Sequence, residues 1–332
     1  MGRITIRDIA KLLEVSPSTV SRALKDHPDI GKKTKEKINQ VAKDLGYQPN
    51  YQAIHFRQRK SRLIGLILPE MGRFFAPDMV KAIEEVTKKK GYNFIIFQSN
   101  ELLEKEKECV ALCQSFGVDG LLVSVSRETK TIDHFNPLIQ NDIPVVLVDR
   151  VIQQVKNPTV TINDFDAAFT AISHLAKKNY QNIAGVFASE NLMITKRRKT
   201  GFIAALEKYH LSYRREFCFH ANTVELAKTL FLQLLKKPEK PDAVFIMSDK
   251  LLTAIIQVIY EKGLRIPQDM AIICISNGYL PYYINPKITF IKHSGYNVGQ
   301  AAANLMVDLM EQPKVEHQQL ELETYLVELD SC

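Results

Sequence analysis

Apolar residues recur at helical spacing three times within the first 45 residues of the chain. The three apolar faces consist of Ile6, Ile9, Ala10 and Leu13, then Val20, Ala23 and Leu24, and then Ile38, Val41, Ala42 and Leu45. Ser16 is a good N-cap and Pro17 suits the first position of a helix, so the second helix is predicted to begin there. The third helix fits residues 32–45 and ends at Gly46. Residues 14–16 leave a short turn between the first two helices, which is typical of a helix-turn-helix.

Beyond residue 62 the pattern changes to short apolar runs of β-type composition that alternate with helical patterns. The predicted strands cover residues 63–68, 94–97, 120–125, 144–148, 183–187, 243–247 and 270–275. The predicted helices cover residues 80–89, 104–116, 165–177, 200–209, 224–236 and 251–261. This alternation implies parallel sheets with right-handed crossovers. Two such sets in tandem predict an α/β body of two doubly wound parallel-sheet subdomains with a cleft between them, behind an all-α helix-turn-helix head.

The positive charge of the chain is concentrated at its amino-terminal end. Residues 1–62 contain 14 Lys and Arg and 6 Asp and Glu, a net charge of +8, whereas the whole chain of 332 residues carries +7. Residues 63–332 therefore carry a net charge of −1. A basic module on a near-neutral body suggests a polyanionic partner. The charge argues against a small helical bundle with an incidental turn, and the three capped amphipathic helices argue against a basic tail.

No motif in the sequence indicates catalysis. The chain has no G-x-G-x-x-G, P-loop, G-x-S-x-G or H-E-x-x-H motif, and its eight His are scattered. Its five Cys are odd in number, and the spacing of Cys109 and Cys113 is only weak support for a disulfide or a metal pair. No apolar run has the length of a membrane span or the position of a signal peptide. We therefore expect a reduced cytoplasmic protein with no metal, no cofactor and no membrane contact, rather than a secreted binding protein.

Three motifs in the head lie in one register. They are Thr5-Ile6-x-Asp8-Ile9-Ala10, Val15-Ser16-x-x-Thr19-Val20-Ser21-Arg22-x-Leu24 and Tyr47-x-Pro49-Asn50. Together they resemble the DNA-binding head of the LacI/GalR family of bacterial repressors. The resemblance extends with lower density to nearly the whole chain, so it implies a periplasmic-binding-protein-like body.

The resemblance implies that residues 17, 18 and 22 face base edges in a major groove. Pro17 has no hydrogen-bonding side chain, so Ser18 and Arg22 should carry most of the direct readout. Arg can pair bidentately with guanine, and hydroxyls can reach phosphates or bases. The predicted DNA contacts of the head are Thr5, Ser16, Pro17, Ser18, Thr19, Ser21 and Arg22.

The segment that follows the head is a candidate hinge helix. Asn50 can cap it, and Ala53 and Phe56 lie three residues apart on one face. In the family this segment folds on operator DNA and inserts an apolar side chain, commonly Leu, into the minor groove. Phe56 occupies that position here, and an apolar wedge that kinks DNA suits a Phe ring. We predict Asn50, Ala53 and Phe56 as DNA contacts, with a flexible tether as the alternative.

Candidate effector residues follow the strand ends, where folds of this class bind ligands. Phe74 and Phe75 follow the first body strand and resemble aromatic residues that flank the effector in the family. Asp149 matches the family's Val-Asp-Arg, and Asp249 follows a later strand. Arg198 has the register of the Arg that points into the family's effector pocket. The alternatives are core packing for the two aromatic residues, a strand-end salt bridge for Asp149 and helix capping for Asp249.

Two positions depart from the family pattern. The usual Gly-Phe/Tyr-Asp-Asp/Asn is Cys274-Ile275-Ser276-Asn277 in this chain, so Ser276 replaces the pocket Asp. The family's Gln after the next strand is replaced by His293. The loss of one carboxylate acceptor predicts an atypical effector at Ser276. A neutral polyol and an anionic sugar, such as a phosphorylated sugar or a uronic acid, both remain open.

The domain boundaries follow from these patterns. Residues 1–49 are predicted to form the DNA-binding domain, residues 50–62 the hinge, and residues 63–332 the effector-binding and dimerisation body. Within the body, residues 63–160 and 292–322 are predicted to form one subdomain. Residues 161–291 and 323–332 are predicted to form the other.

Taken together, the sequence predicts a homodimeric, cytoplasmic and nucleoid-associated transcriptional regulator that acts as a repressor. Its predicted partners are double-stranded operator DNA and a small effector, a sugar or sugar derivative, bound in the cleft. Ligand in the cleft would change the angle between the lobes and thereby the affinity for DNA. One alternative is a DNA-binding protein whose body is a degenerate, ligand-free dimerisation module. The other is an α/β enzyme with a DNA-binding head, for which the sequence offers no clustered catalytic residues.

Overall fold

The computed structural model describes residues 4–47, 60–72, 75–153, 155–312 and 318–332. It divides the chain into two compact units, Met1–Ser61 and Arg62–Cys332. We call the first unit the head and the second the body. No helix in the described ranges is long and apolar enough to cross a membrane.

The head is a three-helix unit around its own small core. Its helices are α1 (Ile6–Leu12), α2 (Pro17–Leu24) and α3 (Lys32–Asp44). The oxygen Oγ of Ser16 accepts a hydrogen bond from the backbone N of Thr19 at 3.0 Å, which caps α2, and Pro17 occupies the first position of that helix. The apolar faces meet in a core of Ile9, Ala10, Val20, Ala23, Ile38 and Ala42. The predicted all-α helix-turn-helix head is confirmed.

The first lobe of the body, the amino-terminal lobe, is built on a fully parallel sheet. Its strands are β1 (Leu63–Leu68), β2 (Asn93–Gln98), β3 (Gly120–Val123), β4 (Val145–Val148), β5 (Thr159–Ile162) and β11 (Gln319–Leu322). Their spatial order is β11-β5-β4-β3-β1-β2. Helices α4 (Phe75–Lys89), α5 (Leu103–Ser115), α6 (Asn136–Ile139) and α12 (Gly295–Glu311) belong to this lobe.

The second lobe, the carboxy-terminal lobe, repeats the same plan. Its strands are β6 (Ile183–Phe187), β7 (Cys218–His220), β8 (Ala243–Ile246), β9 (Ala271–Ser276), β10 (Thr289–Lys292) and β12 (Tyr325–Val327). Their order is β12-β10-β9-β8-β6-β7, and β12 pairs antiparallel with β10. The helices are α7 (Asp164–Lys177), α8 (Met193–Lys208), α9 (Val224–Leu235), α10 (Asp249–Glu261) and the short α11 (Leu280–Tyr283). The fold class predicted for the body is confirmed.

The chain passes between the two lobes three times. The first passage joins β5 to α7, the second joins β10 to α12, and the third joins β11 to β12. Each lobe is therefore assembled from segments that are distant in sequence. His293, in the second passage, lies on the wall of the cleft between the lobes.

Several elements differ from the sequence-based expectation. Helix α4 begins at Phe75 rather than at residue 80, because Pro77 lies in the first turn, where a missing N–H has no helical partner. Strands β5, β7, β10, β11 and β12 have no counterpart among the predicted strands. Helix α12 was also not predicted as an element, although residues 295–311 include an apolar face that packs on α4.

Candidate functional site

The exposed face of α2 is a small polar surface on the head. Oγ of Ser16 lies 2.6 Å from Oγ of Ser18 and 2.8 Å from Oγ1 of Thr19, so the three hydroxyls form one network at the start of the helix. Pro17 and Ser18 are exposed, Ser21 is half-buried, and Thr5 caps α1 on the exposed surface. The network orients the hydroxyls of Ser16, Ser18 and Thr19, three of the predicted DNA contacts.

Arg22 is the cation on this surface. Its side chain is 58% exposed, and its Nη1 lies 3.5 Å from Oδ2 of Asp29, which is itself 61% exposed. A solvent-exposed pair at this distance contributes little to stability, so Arg22 can leave Asp29 at small cost. The other predicted DNA contacts, Asn50, Ala53 and Phe56, lie outside the described residues.

The topology of the body places a cleft between two equivalent edges. In both sheets the strand order reverses between the first strand and its neighbour, at β1/β3 in one lobe and at β6/β8 in the other. Crevices at such switch points are the usual ligand sites of open α/β sheets. A cavity of about 220 Å³ lies here. Its apolar wall includes Leu68, Phe75 and Met79 from one lobe and Leu192, Ile194 and Met247 from the other.

Three polar atoms in the cleft wall are buried and lack a hydrogen-bond partner within the described residues. They are Oγ of Ser124, Oδ1 of Asp249 and Nδ1 of His293. Ser124 follows β3, Asp249 begins α10, and His293 lies in the passage from β10 to α12. Buried polar groups without partners are costly, so they indicate a ligand or ordered water between them.

Arg198 is already engaged by protein groups. It is 3% exposed, its Nε donates a hydrogen bond to Oδ1 of Asp164 at 2.8 Å, and its Nη1 donates to the carbonyl of Met247. Asp164 is the first residue of α7 and is also 3% exposed. Asp164, which no sequence pattern indicated, supplies Arg198 with a carboxylate. Arg198 therefore lines the cleft as one half of a buried ion pair.

The pair with Arg198 gives a pH prediction. Burial raises the pKa of Asp164 from its ordinary 3.8 to about 6, although Arg198 opposes the shift. Because the folded state holds this proton more tightly than the unfolded state, stability from the group is present below pH 4 and is lost as the pH rises to about 6. We therefore expect the wild type to lose stability relative to Asp164→Asn as the pH rises from 4 to about 6. The quantity compared is the difference between their two free energies of unfolding. Urea unfolding at several pH values measures it, and a flat difference would contradict the prediction.

Two further carboxylates flank the cleft. Asp149 follows β4 with a left-handed φ of 63° and lines the cavity. Burial raises its pKa, against the nearby charges of Arg150 and Arg198. Burial also raises the pKa of Asp249, whose carboxylate accepts hydrogen bonds from the Ser276 side chain and the Asn277 backbone. Both groups offer acceptor oxygens to a ligand.

Among the remaining predicted effector residues, Phe75 lines the cavity and Ser276 lies behind its wall. The Phe75 ring lines the cleft 5.0 Å from the His293 ring, whereas Phe74 lies outside the described residues. Ser276 is fully buried behind Asp249, and its Oγ accepts a hydrogen bond from the backbone N of Gly278 at 2.9 Å. It is not part of the cavity wall. Burial and the charge of Arg198 lower the pKa of His293 to about 3, so its ring is neutral.

Sequence reasoning missed several charged residues of the cleft. Nη1 of Arg150 contacts both carboxylate oxygens of Glu101 at 2.8 and 2.9 Å, and Glu101 also accepts from the backbone N of Arg127. Lys250 and Glu70 meet across the cleft at 3.4 Å. Glu70 follows the predicted strand at residues 63–68, so the rule that identified Asp149 could have identified it. Asp164 follows β5, a strand that the sequence did not predict. No sequence signal pointed to Glu101.

Comparison with known proteins gives two family matches. Residues 5–50 match the model of bacterial regulatory proteins of the lacI family, and residues 172–332 match the periplasmic binding protein-like domain. Over 315 residues the chain is 28% identical to catabolite control protein A of Priestia megaterium, covering 94% of each chain. Over 311 residues it is 27% identical to the HTH-type transcriptional repressor CytR of Escherichia coli strain K12, covering 92% of this chain and 90% of CytR.

A solved structure with the same fold is the lac repressor dimer bound to operator and the anti-inducer ONPF. The two chains superpose with a TM-score of 0.89 and 21% sequence identity, over 99% of each. The likeness therefore covers both the head and the two-lobed body.

Proposed function

We propose that this chain, which belongs to the lacI family of bacterial regulatory proteins and is a DNA-binding transcriptional regulator, is a repressor controlled by a small polar ligand. The ligand, a sugar or sugar derivative, binds in the cleft and changes the affinity of the head for an operator. The observation that carries this proposal is the convergence of three buried, unpartnered polar atoms on one cavity.

The chemistry of the cleft favours a hydroxyl-rich, uncharged ligand over an anionic one. Asp149 and Asp249 offer carboxylate oxygens, which accept hydrogen bonds and repel anions. Three cations on the cavity wall are each paired with a carboxylate: Arg198 with Asp164 at 2.8 Å, Arg150 with Glu101 at 2.8 Å and Lys250 with Glu70 at 3.4 Å. The phenyl ring of Phe75 supplies an apolar surface on which a sugar ring can pack.

Assembly as a homodimer, with the two heads on a near-palindromic operator, completes the proposal. The lac repressor structure of the same fold is a dimer bound to operator and to a small anti-inducer, which supports the arrangement by analogy. In this arrangement Asn50, Ala53 and Phe56 would contact the minor groove, and the protein would work in the cytoplasm at the nucleoid. A body that binds no ligand and serves only for dimerisation is the second candidate.

The ligand class can be tested with matched sugars. We expect neutral hexoses and pentoses to bind at least about tenfold more tightly than the same sugars carrying a phosphate or a uronate group, because each anion lies near two carboxylates. Thermal shift of the full-length protein finds the hits, and titration against an operator selected from random DNA shows whether they change operator affinity.

The variant Ser124→Ala tests whether a ligand binds in the cleft. It removes one unpartnered hydroxyl and leaves the charges of the cleft unchanged. It should weaken a true cleft ligand about three- to tenfold. Anionic sugars that outrank neutral ones would contradict the proposed ligand class. A broad library without a hit would favour the ligand-free body.

A further inference from the structure

Asn277 lies directly behind the candidate ligand site. It follows β9 in the carboxy-terminal lobe and is 6% exposed. Its backbone N donates a hydrogen bond to Oδ2 of Asp249 at 3.3 Å. The other oxygen of this carboxylate, Oδ1, is the unpartnered atom in the cleft. A ligand bound to Oδ1 would therefore share the Asp249 carboxylate with the backbone N of Asn277.

The side chain of Asn277 reaches across to the other lobe. Its Nδ2 donates a hydrogen bond to Oδ2 of Asp78 on α4 at 2.6 Å. Its Oδ1 accepts a hydrogen bond from the backbone N of Gly295, the first residue of α12, at 2.8 Å. One amide therefore holds two helices of the amino-terminal lobe, and we call Asp78, Asn277 and Gly295 the inter-lobe junction.

The two helices held by this junction are packed too closely to move independently. A Cβ atom at Gly295 would lie 2.4 Å from the carbonyl oxygen of Phe75, and one at Gly299 would lie 2.3 Å from that of Met79. Only glycine allows this approach of α12 to the backbone of α4. Phe75 and Met79 also line the cleft, so a shift at the junction moves one wall of the ligand site together with both helices.

Three other polar contacts between described residues cross between the lobes, and each involves partly exposed side chains. The hydroxyl of Tyr279 donates a long hydrogen bond to Oδ1 of Asp78 at 3.5 Å. The Lys250–Glu70 pair has side chains 30% and 44% exposed, and the Arg197–Glu321 pair has side chains 37% and 45% exposed. Exposed ion pairs are weak and screened by salt. A buried amide that donates to a carboxylate is stronger and more directional.

We propose that Asn277 is the positioning residue that couples occupancy of the cleft to the helix pair α4/α12, and through it to operator affinity. This inference rests on the proposed function. Ligand that engages Asp249 alters the bond from that carboxylate to the backbone of Asn277. The ligand binds the lobe arrangement with an intact junction and the arrangement with a broken junction with different affinities. It therefore shifts the population toward the arrangement that it binds more tightly.

A charge swap tests the junction. Asn277→Asp places a carboxylate against Asp78 and should change operator affinity at least about tenfold, the range of a lost hydrogen bond to a charged group. In the single variant Asp78→Asn, the side-chain amide of Asn277 still faces a neutral hydrogen-bonding group at position 78. The double variant Asp78→Asn with Asn277→Asp restores the pair in reverse and should bring operator affinity back to within about threefold of the wild type. The operator is a duplex selected from random DNA with the wild-type protein.

A second arm follows the path from the cleft. Asp249→Ala should change operator affinity in the wild-type background and leave it unchanged in an Asn277→Ala background, because the effect passes through Asn277. Asp269→Asn is the control, since it removes a carboxylate paired with Arg265 within one lobe. Circular dichroism and thermal melting identify any variant that fails to fold, and Asn277→Ala then replaces Asn277→Asp.

The outcomes separate the two proposals. A wild type that selects no operator overturns the proposed function. A wild type that binds operator, with Asn277→Asp and Asn277→Ala both binding within twofold of it, overturns the role of Asn277 alone. Failure of the swap to restore affinity in a folded double variant has the same meaning. Loss of hydrogen-exchange protection at the Gly295 amide in Asn277→Ala, with recovery in the swap, supports the junction independently of DNA.

Discussion

Replacing Arg198 by alanine is expected to lower the free energy of unfolding of the body by about 3–5 kcal/mol. Arg198 and Asp164 are both 3% exposed, and the substitution leaves the carboxylate of Asp164 buried without its partner. The carbonyl of Met247 also loses a donor. Urea unfolding of the full-length protein at neutral pH, followed by circular dichroism, measures the change.

Two variants control for this result. Arg197→Ala, one residue earlier on α8, removes a guanidinium that is 37% exposed and paired with the half-exposed Glu321, so it should cost less than about 1 kcal/mol. Adding Asp164→Asn to Arg198→Ala should recover part of the lost stability, because the buried group is then neutral. Equal losses for Arg197→Ala and Arg198→Ala would contradict the buried-pair interpretation.

Replacing Arg22 by alanine is expected to weaken binding to a selected operator by about 1–3 kcal/mol, the range for a bidentate contact to guanine. Arg22 lies on the exposed face of α2, and its pairing with Asp29 at 3.5 Å is weak enough to be exchanged for a base. Binding to random DNA should change little, because base readout contributes mainly to specific complexes. Fluorescence anisotropy with both duplexes at one salt concentration measures the two affinities.

Lys32→Ala is the matched control for Arg22→Ala. Lys32 is an exposed cation at the start of α3, and a phosphate contact there would weaken binding to all sequences alike. The ratio of selected to random affinity should therefore fall for Arg22→Ala and stay constant for Lys32→Ala. If Arg22→Ala lowers both affinities equally, Arg22 does not read bases.

The fold was largely predictable because its determinants are local. The three amphipathic faces of the head and the N-cap at Ser16 require only residues within one turn of each other. The long apolar strands, such as β1 and β9, are buried on both faces and read as continuous hydrophobic runs. The short strands β11 and β12 depend on pairing with distant partners, which no local pattern reveals.

The candidate cleft was less predictable because its chemistry depends on which side chains meet. The sequence placed Asp149, Asp249 and Arg198 at suitable strand and helix ends, and the structure places all three on the cavity wall. It did not reveal that Asp164, which is 34 residues away in sequence, pairs with Arg198. Ser276 was expected to face a ligand, but its hydroxyl lies behind the Asp249 carboxylate. Long-range pairing of this kind sets the charge of the site.

Because the chain passes between the lobes three times, the parts of the protein become complete in a fixed order during synthesis on the ribosome. The head needs only residues up to the end of α3 at Asp44 to form its core, so it can fold while the body is still being translated. The amino-terminal lobe lacks α12 and β11 until residue 322 has been made, and the other lobe lacks β12 until Val327. The nascent chain therefore acquires the folded head long before either lobe of the body is complete. A stalled or truncated product would present the head without a complete cleft.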